Sequence, residues 1–256
     1  MEERMRKRLL IIIPAYNEEK NIGDTLDGLK AAGIFEWADI LVMNDASKDR
    51  TEEIVRQHGC QVVTHVYNLG YGSGLQIGYK YAVRKGYEYV IQMDADGQHD
   101  PCNIPVLYHR LLAEDCPDIV LGSRYLEGSR SFPLSLAKRL AHRLFRFIIR
   151  AAAGQAVTDP TSGLQGLSRR AFSYYAQYDH FDTRYPDANM IVQMLLLRFH
   201  LVEVPAVLRA RQAGTSIHSG LKPLWYMLRM VFTTLAVIVR IRILKIEAEA
   251  GQTPTA

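Results

Sequence analysis

The segment that decides the fold spans residues 89–101 and reads YVIQMDADGQHDP. Its first five residues are mostly apolar, β-branched or aromatic, which is typical of a buried strand. Two carboxylates, Asp94 and Asp96, follow where this strand ends. Successive side chains of an extended chain point to opposite faces. Asp94, Asp96 and Gln98 are therefore predicted to converge on one point if the extended course continues through Gly97.

Two neighbouring carboxylates repel each other unless a cation lies between them. A hard divalent ion such as Mg²⁺ or Mn²⁺ takes oxygen ligands of this kind and leaves coordination positions for substrate phosphates. We therefore predict a metal site at Asp94, Asp96 and Gln98. Asp-x-Asp alone has a second interpretation, which is an acidic turn after a strand.

The composition indicates a globular protein. The 256 residues are 48% hydrophobic and carry a formal net charge of +4, which is too small to indicate nucleic-acid binding. The three cysteines are scattered, which fits a reducing compartment and gives no metal-binding spacing. The positive charge is concentrated in residues 124–150, where seven basic residues accompany one acid.

Apolar runs alternate with helical patterns in the first half of the chain. Strands are predicted at residues 9–13, 40–43, 62–65, 89–93 and 119–121, and helices at residues 22–32, 51–58, 75–85 and 104–113. This alternation indicates an α/β fold with a mostly parallel sheet covered on both faces. Ligands of such sheets bind beyond the carboxyl ends of the strands. The loops at residues 14–18, 44–45 and 94–98 are therefore predicted to meet in one crevice.

A glycine-rich run, GYGSG at residues 70–74, resembles a dinucleotide-binding loop only in composition. The dinucleotide fingerprint requires G-x-G-x-x-G directly after the first strand. This run follows the third strand and has different spacing, so we interpret it as the entry to the next helix. A contact between its backbone amides and a phosphate is the alternative.

Six motifs occur in a familiar order. They are PAYNE at residues 14–18, NDASKDRT at 44–51, NLGYG at 68–72, DADGQHDP at 94–101, GSRY at 122–125 and DPTSG at 159–163. Together they resemble glycosyltransferase family 2, in the branch of dolichol-phosphate mannose synthases and bacterial polyprenyl-phosphate glycosyltransferases. The resemblance extends from about residue 9 to residue 216. It implies an inverting, metal-dependent enzyme with the GT-A fold, in which a Rossmann-like nucleotide half and an acceptor half share one sheet.

The resemblance also implies roles for individual residues. The residues that would hold the nucleotide-sugar are Pro14, Ala15, Tyr16, Glu18, Asp45, Asp94 and Arg211. Asp94, Asp96 and Gln98 match the metal and diphosphate positions of the family. Arg124 matches the arginine that contacts the acceptor phosphate in the family. The resemblance therefore implies three catalytic residues, which are Asp94, Asp96 and Arg124. Further candidates for the acceptor phosphate are Lys138, Arg139 and His142, although His142 stands where the eukaryotic pattern has a serine.

The acceptor decides whether a general base is required. A sugar hydroxyl must lose a proton, and Asp187 is the candidate base for that reaction. A lipid monophosphate is already ionised near neutral pH and needs cations instead. Asp187 could equally be an acid stabilised by the N-terminus of the helix that follows it.

We predict one GT-A domain over residues 1–246 and a polar tail at residues 247–256. The nucleotide-sugar half would span residues 9–121 and the acceptor half residues 122–220. A C-terminal apolar helix would lie within residues 221–246.

Two segments indicate contact with a membrane surface. In a helix over residues 134–150, six basic side chains fall within an arc of about 140° beside a broad apolar face. They are Lys138, Arg139, His142, Arg143, Arg146 and Arg150. This pattern is typical of an interfacial helix, with an ordinary surface helix as the alternative. Residues 224–239 would reach about 24 Å, short of the ~30 Å hydrocarbon core, which favours an in-plane or core-docking helix over a tail anchor.

The sequence therefore predicts hexose transfer from GDP-mannose or a UDP-hexose to polyprenyl phosphate, with Mg²⁺ or Mn²⁺ as cofactor. The enzyme is expected at the cytoplasmic face of the membrane as a peripheral protein, on an anionic membrane surface or docked on a separate membrane protein, without nucleic acid. One alternative is a glycosyltransferase that acts on a sugar hydroxyl of a glycan or glycolipid with Asp187 as base. Another is a non-catalytic nucleotide-sugar-binding protein, against which the intact Asp94, Asp96 and Gln98 argue.

Overall fold

A computed structural model describes residues 7–131, 136–210 and 222–244. Its strands are β1 (Leu9–Ala15), β2 (Ala38–Asn44), β3 (Gln61–Thr64), β4 (Tyr89–Gln92), β5 (Ile119–Ser123), β6 (Gln165–Ser168) and β7 (Leu201–Pro205). They form one sheet in the order β3-β2-β1-β4-β6-β5-β7. β6 is antiparallel to β4 and β5, whereas the other neighbouring strands are parallel. This mixed α/β architecture confirms the predicted fold class.

Helices cover both faces of the sheet. Those of the described residues are α1 (Ile22–Ala31), α2 (Thr51–Gln57), α3 (Tyr71–Lys85), α4 (Asn103–Leu111), α5 (Leu136–Ala153), α6 (Arg169–Tyr175), α7 (Ala188–Leu196) and α8 (Lys222–Arg242). A short 3-10 helix, Ile34–Glu36, precedes β2.

β1 is the centre of the core, and all seven of its residues are buried. Its odd-numbered residues, such as Ile11, pack in the cluster that includes residues of α1 and α4. Its even-numbered residues, such as Ile12, pack in the opposite cluster with residues of α3, α6 and α7. A strand buried on both faces requires a continuous apolar run rather than alternation, which explains the sequence of β1.

A third cluster joins the helices of the second half. Phe145 on α5, Ala188 at the start of α7 and Met230 on α8 pack together, and Met227 and Val231 lie against them. α8 is thus docked on the domain. Among the helices that the structure describes, none is both long enough and apolar enough to cross a membrane.

The predicted strands are all present, with ends within two residues of those expected. α3 begins at Tyr71 instead of residue 75, because the glycine-rich run forms its first turn. β6 and β7 were not predicted. β6 reads QGLS and so lacks the apolar run by which a strand is recognised in a sequence.

Candidate active site

The loops that follow β1, β2 and β4 lie side by side, because these three strands are neighbours in the sheet. The N–H of Asp45 donates to the carbonyl of Ala15 at 2.9 Å and joins two of these loops directly. Antiparallel β6 starts at the same edge and brings residues 159–163 there, and Arg124 follows the end of β5. The predicted meeting of the loops at one edge of the sheet is therefore present.

The loop after β1 is tied to the start of α2. Pro14 and Ala15 are the buried end of β1, and the side chain of Tyr16 is 44% exposed beyond them. The N–H of Glu18 donates to the hydroxyl of Thr51 at 2.9 Å. The roles of these four residues in nucleotide binding stay predictions.

Asp45 holds the loop that leads into α3. Its side chain is buried, and its carboxylate accepts the backbone N–H groups of Leu69 and Gly70, each at 2.8 Å. Nδ1 of His65 lies 2.8 Å from the same carboxylate. A contact between Asp45 and the nucleotide would come in addition to this task and stays a prediction.

The metal-ligand candidates lie on a turn, so the predicted extended course through Gly97 is wrong. The strand ends at Gln92, and Gly97 has a φ of +74°, a conformation that favours glycine. The N–H of Gln98 donates to Oδ1 of Asp96 at 3.0 Å within the turn. Strand alternation therefore does not set the directions of Asp96 and Gln98.

The donor set of this turn fits a hard divalent ion that is bound partly by substrate. Asp94, Asp96 and Gln98 are half-buried and offer oxygen ligands. Within residues 7–131, 136–210 and 222–244, no group of three or more acidic, histidine or cysteine side chains could hold a metal ion. Two carboxylates and an amide would therefore need the phosphate oxygens of a donor to complete the coordination.

Asp94 has a neighbour that the sequence analysis did not assign. The hydroxyl of Tyr71 donates to Oδ1 of Asp94 at 3.0 Å. Although 36% of the surface of residue Tyr71 is exposed, desolvation of the hydroxyl and then the charges of Asp94 and Asp187 raise its pKa well above the ordinary value. The hydroxyl therefore stays protonated at neutral pH and keeps its role as donor.

Arg124 forms a buried ion pair with Asp159. Its Nε and Nη2 groups each lie 2.6 Å from a carboxylate oxygen, and Nη2 also donates to the hydroxyl of Thr161 at 2.9 Å. Asp159 has no exposed side-chain surface, and Arg124 has 17%. Burial opposes the charge, but hydrogen bonding to Asp159 and its charge raise the pKa of Arg124 above the ordinary value. Asp159 is the first residue of the motif DPTSG, which the sequence analysis identified without assigning a role to Asp159.

The basic residues of α5 divide into two groups. His142 is 9% exposed and lies beside the Arg124–Asp159 pair, with its Nε2 3.1 Å from the Thr161 hydroxyl. Arg139 and three other arginines of this helix are exposed: Arg143, Arg146 and Arg150. His142 therefore does not belong to the exposed basic face. The side chain of Lys138 and the whole of Arg211 lie outside the described residues.

Asp187 directly precedes α7, and its charge acts on residues from both sides of the site. After the larger effects given above, its negative charge contributes to the raised pKa values of Arg124 and Tyr71. Its backbone N–H donates to the side-chain oxygen of Asn189 at 2.8 Å. The position is compatible with the helix-terminal role and with the role of a base.

The sequence pattern of glycosyl transferase family 2 matches residues 10–175, from β1 to the end of α6. This chain belongs to glycosyltransferase family 2. An uncharacterised protein of Methanocaldococcus jannaschii is 37% identical over 171 residues, which cover 67% of each chain. The undecaprenyl-phosphate mannosyltransferase of Micrococcus luteus is 29% identical over 221 residues, which cover 83% of this chain and 88% of the relative.

A solved structure shares the fold. Glucosyl-3-phosphoglycerate synthase from Mycobacterium tuberculosis, in complex with Mn²⁺, UDP-glucose and phosphoglyceric acid, superimposes with a TM-score of 0.69 at 21% identity. The match covers 91% of this chain and 80% of that one. It shows the GT-A fold, while membership of family 2 confirms that this chain is a glycosyltransferase.

Proposed function

We propose that this enzyme transfers a hexose from a GDP- or UDP-linked sugar to a polyprenyl phosphate. The observation that carries the proposal is the arrangement at one edge of the sheet. The acidic turn after β4 adjoins the loop that holds the Arg124–Asp159 pair, and this pair adjoins the amphipathic helix α5. The printed name of the Micrococcus luteus relative supports the choice of acceptor.

The donor side of the proposal is the turn after β4. Asp94, Asp96 and Gln98 would hold Mg²⁺ or Mn²⁺ together with the donor diphosphate. When bound, the ion supplies a positive charge that stabilises the leaving diphosphate. Tyr16, exposed at the end of β1, and Arg211 are the proposed further contacts of the nucleotide-sugar. The proposed nucleotide half is residues 9–121, and the proposed acceptor half is residues 122–220.

The acceptor side is the cluster around Arg124. Among the described residues, the internal hydrogen bonds of its guanidinium group come from Nε and Nη2, so an acceptor phosphate would meet Nη1. Asp159 neutralises one positive charge, so an anionic acceptor needs additional cations. His142 lies beside the pair, and Lys138 and Arg139 lie one turn earlier on the same helix.

The proposed chemistry requires no general base. An ionised phosphate oxygen of the acceptor attacks the anomeric carbon, and the bond between that carbon and the nucleoside diphosphate breaks with inversion. The acceptor oxygen has no proton to lose near neutral pH. The residues of the cleft therefore have to hold two anionic groups close together, which is a task for cations and not for a base.

We also propose that α5 and α8 form the surface that meets the membrane. The two helices run in the same direction, since Phe145 packs with Met230 and the guanidinium of Arg242 donates to the carbonyl of Ala152 near the helix ends. Each helix carries a strip of exposed apolar side chains. These are Leu140, Leu144 and Phe147 on α5, and Leu228, Phe232, Leu235 and Val239 on α8.

At about 100° per residue, each strip lies on one side of its own helix, away from Phe145 on α5 and from Met230 on α8. The exposed arginines of α5 flank this apolar surface. An apolar face with a basic margin is suited to the boundary between headgroups and acyl chains of an anionic membrane. The proposed location is the cytoplasmic face of the membrane, with the protein bound peripherally.

Asp187 supports a second candidate function. Its negative charge acts on both Arg124 and Tyr71, so it could act as base for a sugar hydroxyl acceptor in the same cleft. The two functions differ in one measurable requirement, because only the hydroxyl acceptor depends on a proton acceptor.

The proposal is tested by incubating the protein with a panel of nucleotide-sugars, Mn²⁺ or Mg²⁺, and a short-chain polyprenyl phosphate, followed by mass spectrometry. The matched acceptor is the same polyprenol without its phosphate, and the matched enzyme is Asp96→Ala. We expect a glycosylated product only with the phosphorylated acceptor and the parent enzyme. A product formed equally well on the free alcohol or on a glycolipid hydroxyl would overturn the choice of acceptor.

A further inference from the structure

The half-buried carboxylate of Asp94 is bordered by residues to which the sequence analysis gave no role. Tyr71 donates to its Oδ1 at 3.0 Å. The backbone of Gly163 lies against the same group, since a Cβ atom at this position would be 3.0 Å from Oδ2 and 3.3 Å from Oδ1. The N–H of Asp94 itself donates to Nδ1 of His99 at 3.0 Å.

Gly163 is held in place from inside the sheet. The side-chain amide of Gln92, at the end of β4, donates to the carbonyl of Gly163 at 3.0 Å. The buried hydroxyl of Tyr79 in turn donates to the side-chain oxygen of Gln92. The backbone of Gly163, which packs against Asp94, is therefore attached to the core. It cannot move away from Asp94 without breaking these hydrogen bonds.

Tyr71 is held from two directions. Asp45 binds the N–H groups of Leu69 and Gly70 just before it. Just after it, Gly72 packs so closely on the backbone of residues 182–183 that a Cβ atom would be 2.4 Å from the carbonyl oxygen of Asp182. The first turn of α3 is thus fixed on both sides of Tyr71, which fixes the starting point of its side chain.

We propose that Tyr71 and Gly163 are positioning residues that set the carboxylate of Asp94 for the metal-bound diphosphate of the donor. The inference rests on the proposed function, which places Asp94 at that diphosphate. Tyr71 restrains the carboxylate by a hydrogen bond, and Gly163 restrains it by leaving room for one orientation. Partners of this kind raise metal affinity because the ligand does not have to be ordered when the ion binds.

The experiment measures binding of Mn²⁺ with GDP and with UDP by isothermal titration calorimetry, and transfer activity as a function of Mn²⁺. Tyr71→Phe removes only the hydroxyl, and it should weaken Mn²⁺–diphosphate binding by about 10- to 100-fold. Its activity should recover at high Mn²⁺, and its thermal unfolding temperature should change by less than about 4 °C. The matched control is Tyr81→Phe on the same helix, whose hydroxyl bonds Gln61 at 2.5 Å, and which should behave as the parent.

Gly163→Ala should weaken the same binding by a steric route. Its control is Gly23→Ala, where the new Cβ atom would meet Ile54 at an ordinary 3.5 Å. Unchanged Mn²⁺–diphosphate binding in Tyr71→Phe, with binding lost in Asp94→Ala, would overturn the inference and leave the proposed function intact. Unchanged binding in Asp94→Ala, or a parent that binds neither diphosphate, would overturn both.

Discussion

Replacement of Asp159 by alanine should destabilise the protein strongly. The change leaves the guanidinium of Arg124 in a largely buried position without its carboxylate, and it removes three hydrogen bonds that Arg124 makes to Asp159 through Nε, Nη2 and the backbone N–H. Loss of one partner from a buried pair typically costs about 3–5 kcal/mol. At roughly 2–4 °C for each kcal/mol in a chain of this size, the unfolding temperature should fall by about 6–20 °C.

The chain offers a matched control. Arg110 and Asp115 form the same two-point contact, with both nitrogen–oxygen distances at 2.6 Å, but both side chains are more exposed than those of the buried pair. Asp115→Ala should therefore leave the unfolding temperature nearly unchanged. The assay is thermal and urea unfolding followed by circular dichroism for the parent and both variants.

A double variant separates charge from packing. Arg124→Met with Asp159→Leu removes both charges of the pair, so it should be more stable than either single variant, although it should lose the proposed acceptor-phosphate contact. The kinetics of Arg124→Ala alone would combine two effects, an unpaired Asp159 and the loss of the proposed phosphate contact. They should therefore be compared with the kinetics of the double variant. Equal unfolding temperatures for Asp159→Ala and Asp115→Ala would contradict a destabilisation that depends on burial of the pair.

Four further outcomes are expected. Asp96→Ala should abolish transfer and retain the circular dichroism spectrum of the parent, because the residue lies on a surface turn; full activity in excess chelator would contradict a metal site there. Arg143→Gln combined with Arg146→Gln should weaken binding to anionic vesicles about 30-fold at low salt in a sedimentation assay, and should leave binding to zwitterionic vesicles unchanged. Asp187→Asn should keep activity within about tenfold of the parent if the acceptor is a phosphate, whereas a thousandfold loss with intact donor binding would favour a hydroxyl acceptor. Burial alone would raise the pKa of Asp49, but hydrogen bonds hold it below its ordinary 3.8. The stabilisation that ionised Asp49 provides is therefore present above about pH 4 and is lost as the pH falls further. In urea unfolding, the difference in free energy of unfolding between the parent and Asp49→Asn should be constant from pH 7 to 5 and should shrink towards pH 3.

The first half of the chain could be predicted from sequence because its signals are local. Each buried parallel strand is a continuous apolar run, and the polar residue after it marks the active edge, as Asp45 does after β2. β6 escaped prediction because a four-residue strand with one large apolar residue, Leu167, has no periodicity to detect. Its antiparallel direction depends on pairing with β4 and β5, which are distant in sequence.

The sequence indicated which residues belong to the candidate site, but it did not indicate which of them contact one another. The turn at Gly97 depends on a backbone conformation that the sequence permits without requiring. The pairing of Arg124 with Asp159 joins residues 35 positions apart, and the contact between Tyr71 and Asp94 joins the first turn of α3 to the turn after β4. Such contacts follow from the order of strands in the sheet, which composition and periodicity do not specify.

Because β6 lies between β4 and β5, the sheet fixes the distance between the ends of these two strands. Asp94 follows β4 and Arg124 follows β5, so the strands that carry them are two interstrand spacings apart, about 10 Å. The interval between the two strand ends is set by backbone hydrogen bonds, and movement of a surface loop leaves it unchanged. Under the proposed function, this fixed distance would select the acceptor by the size of its phosphate headgroup and would not depend on the length of its lipid tail.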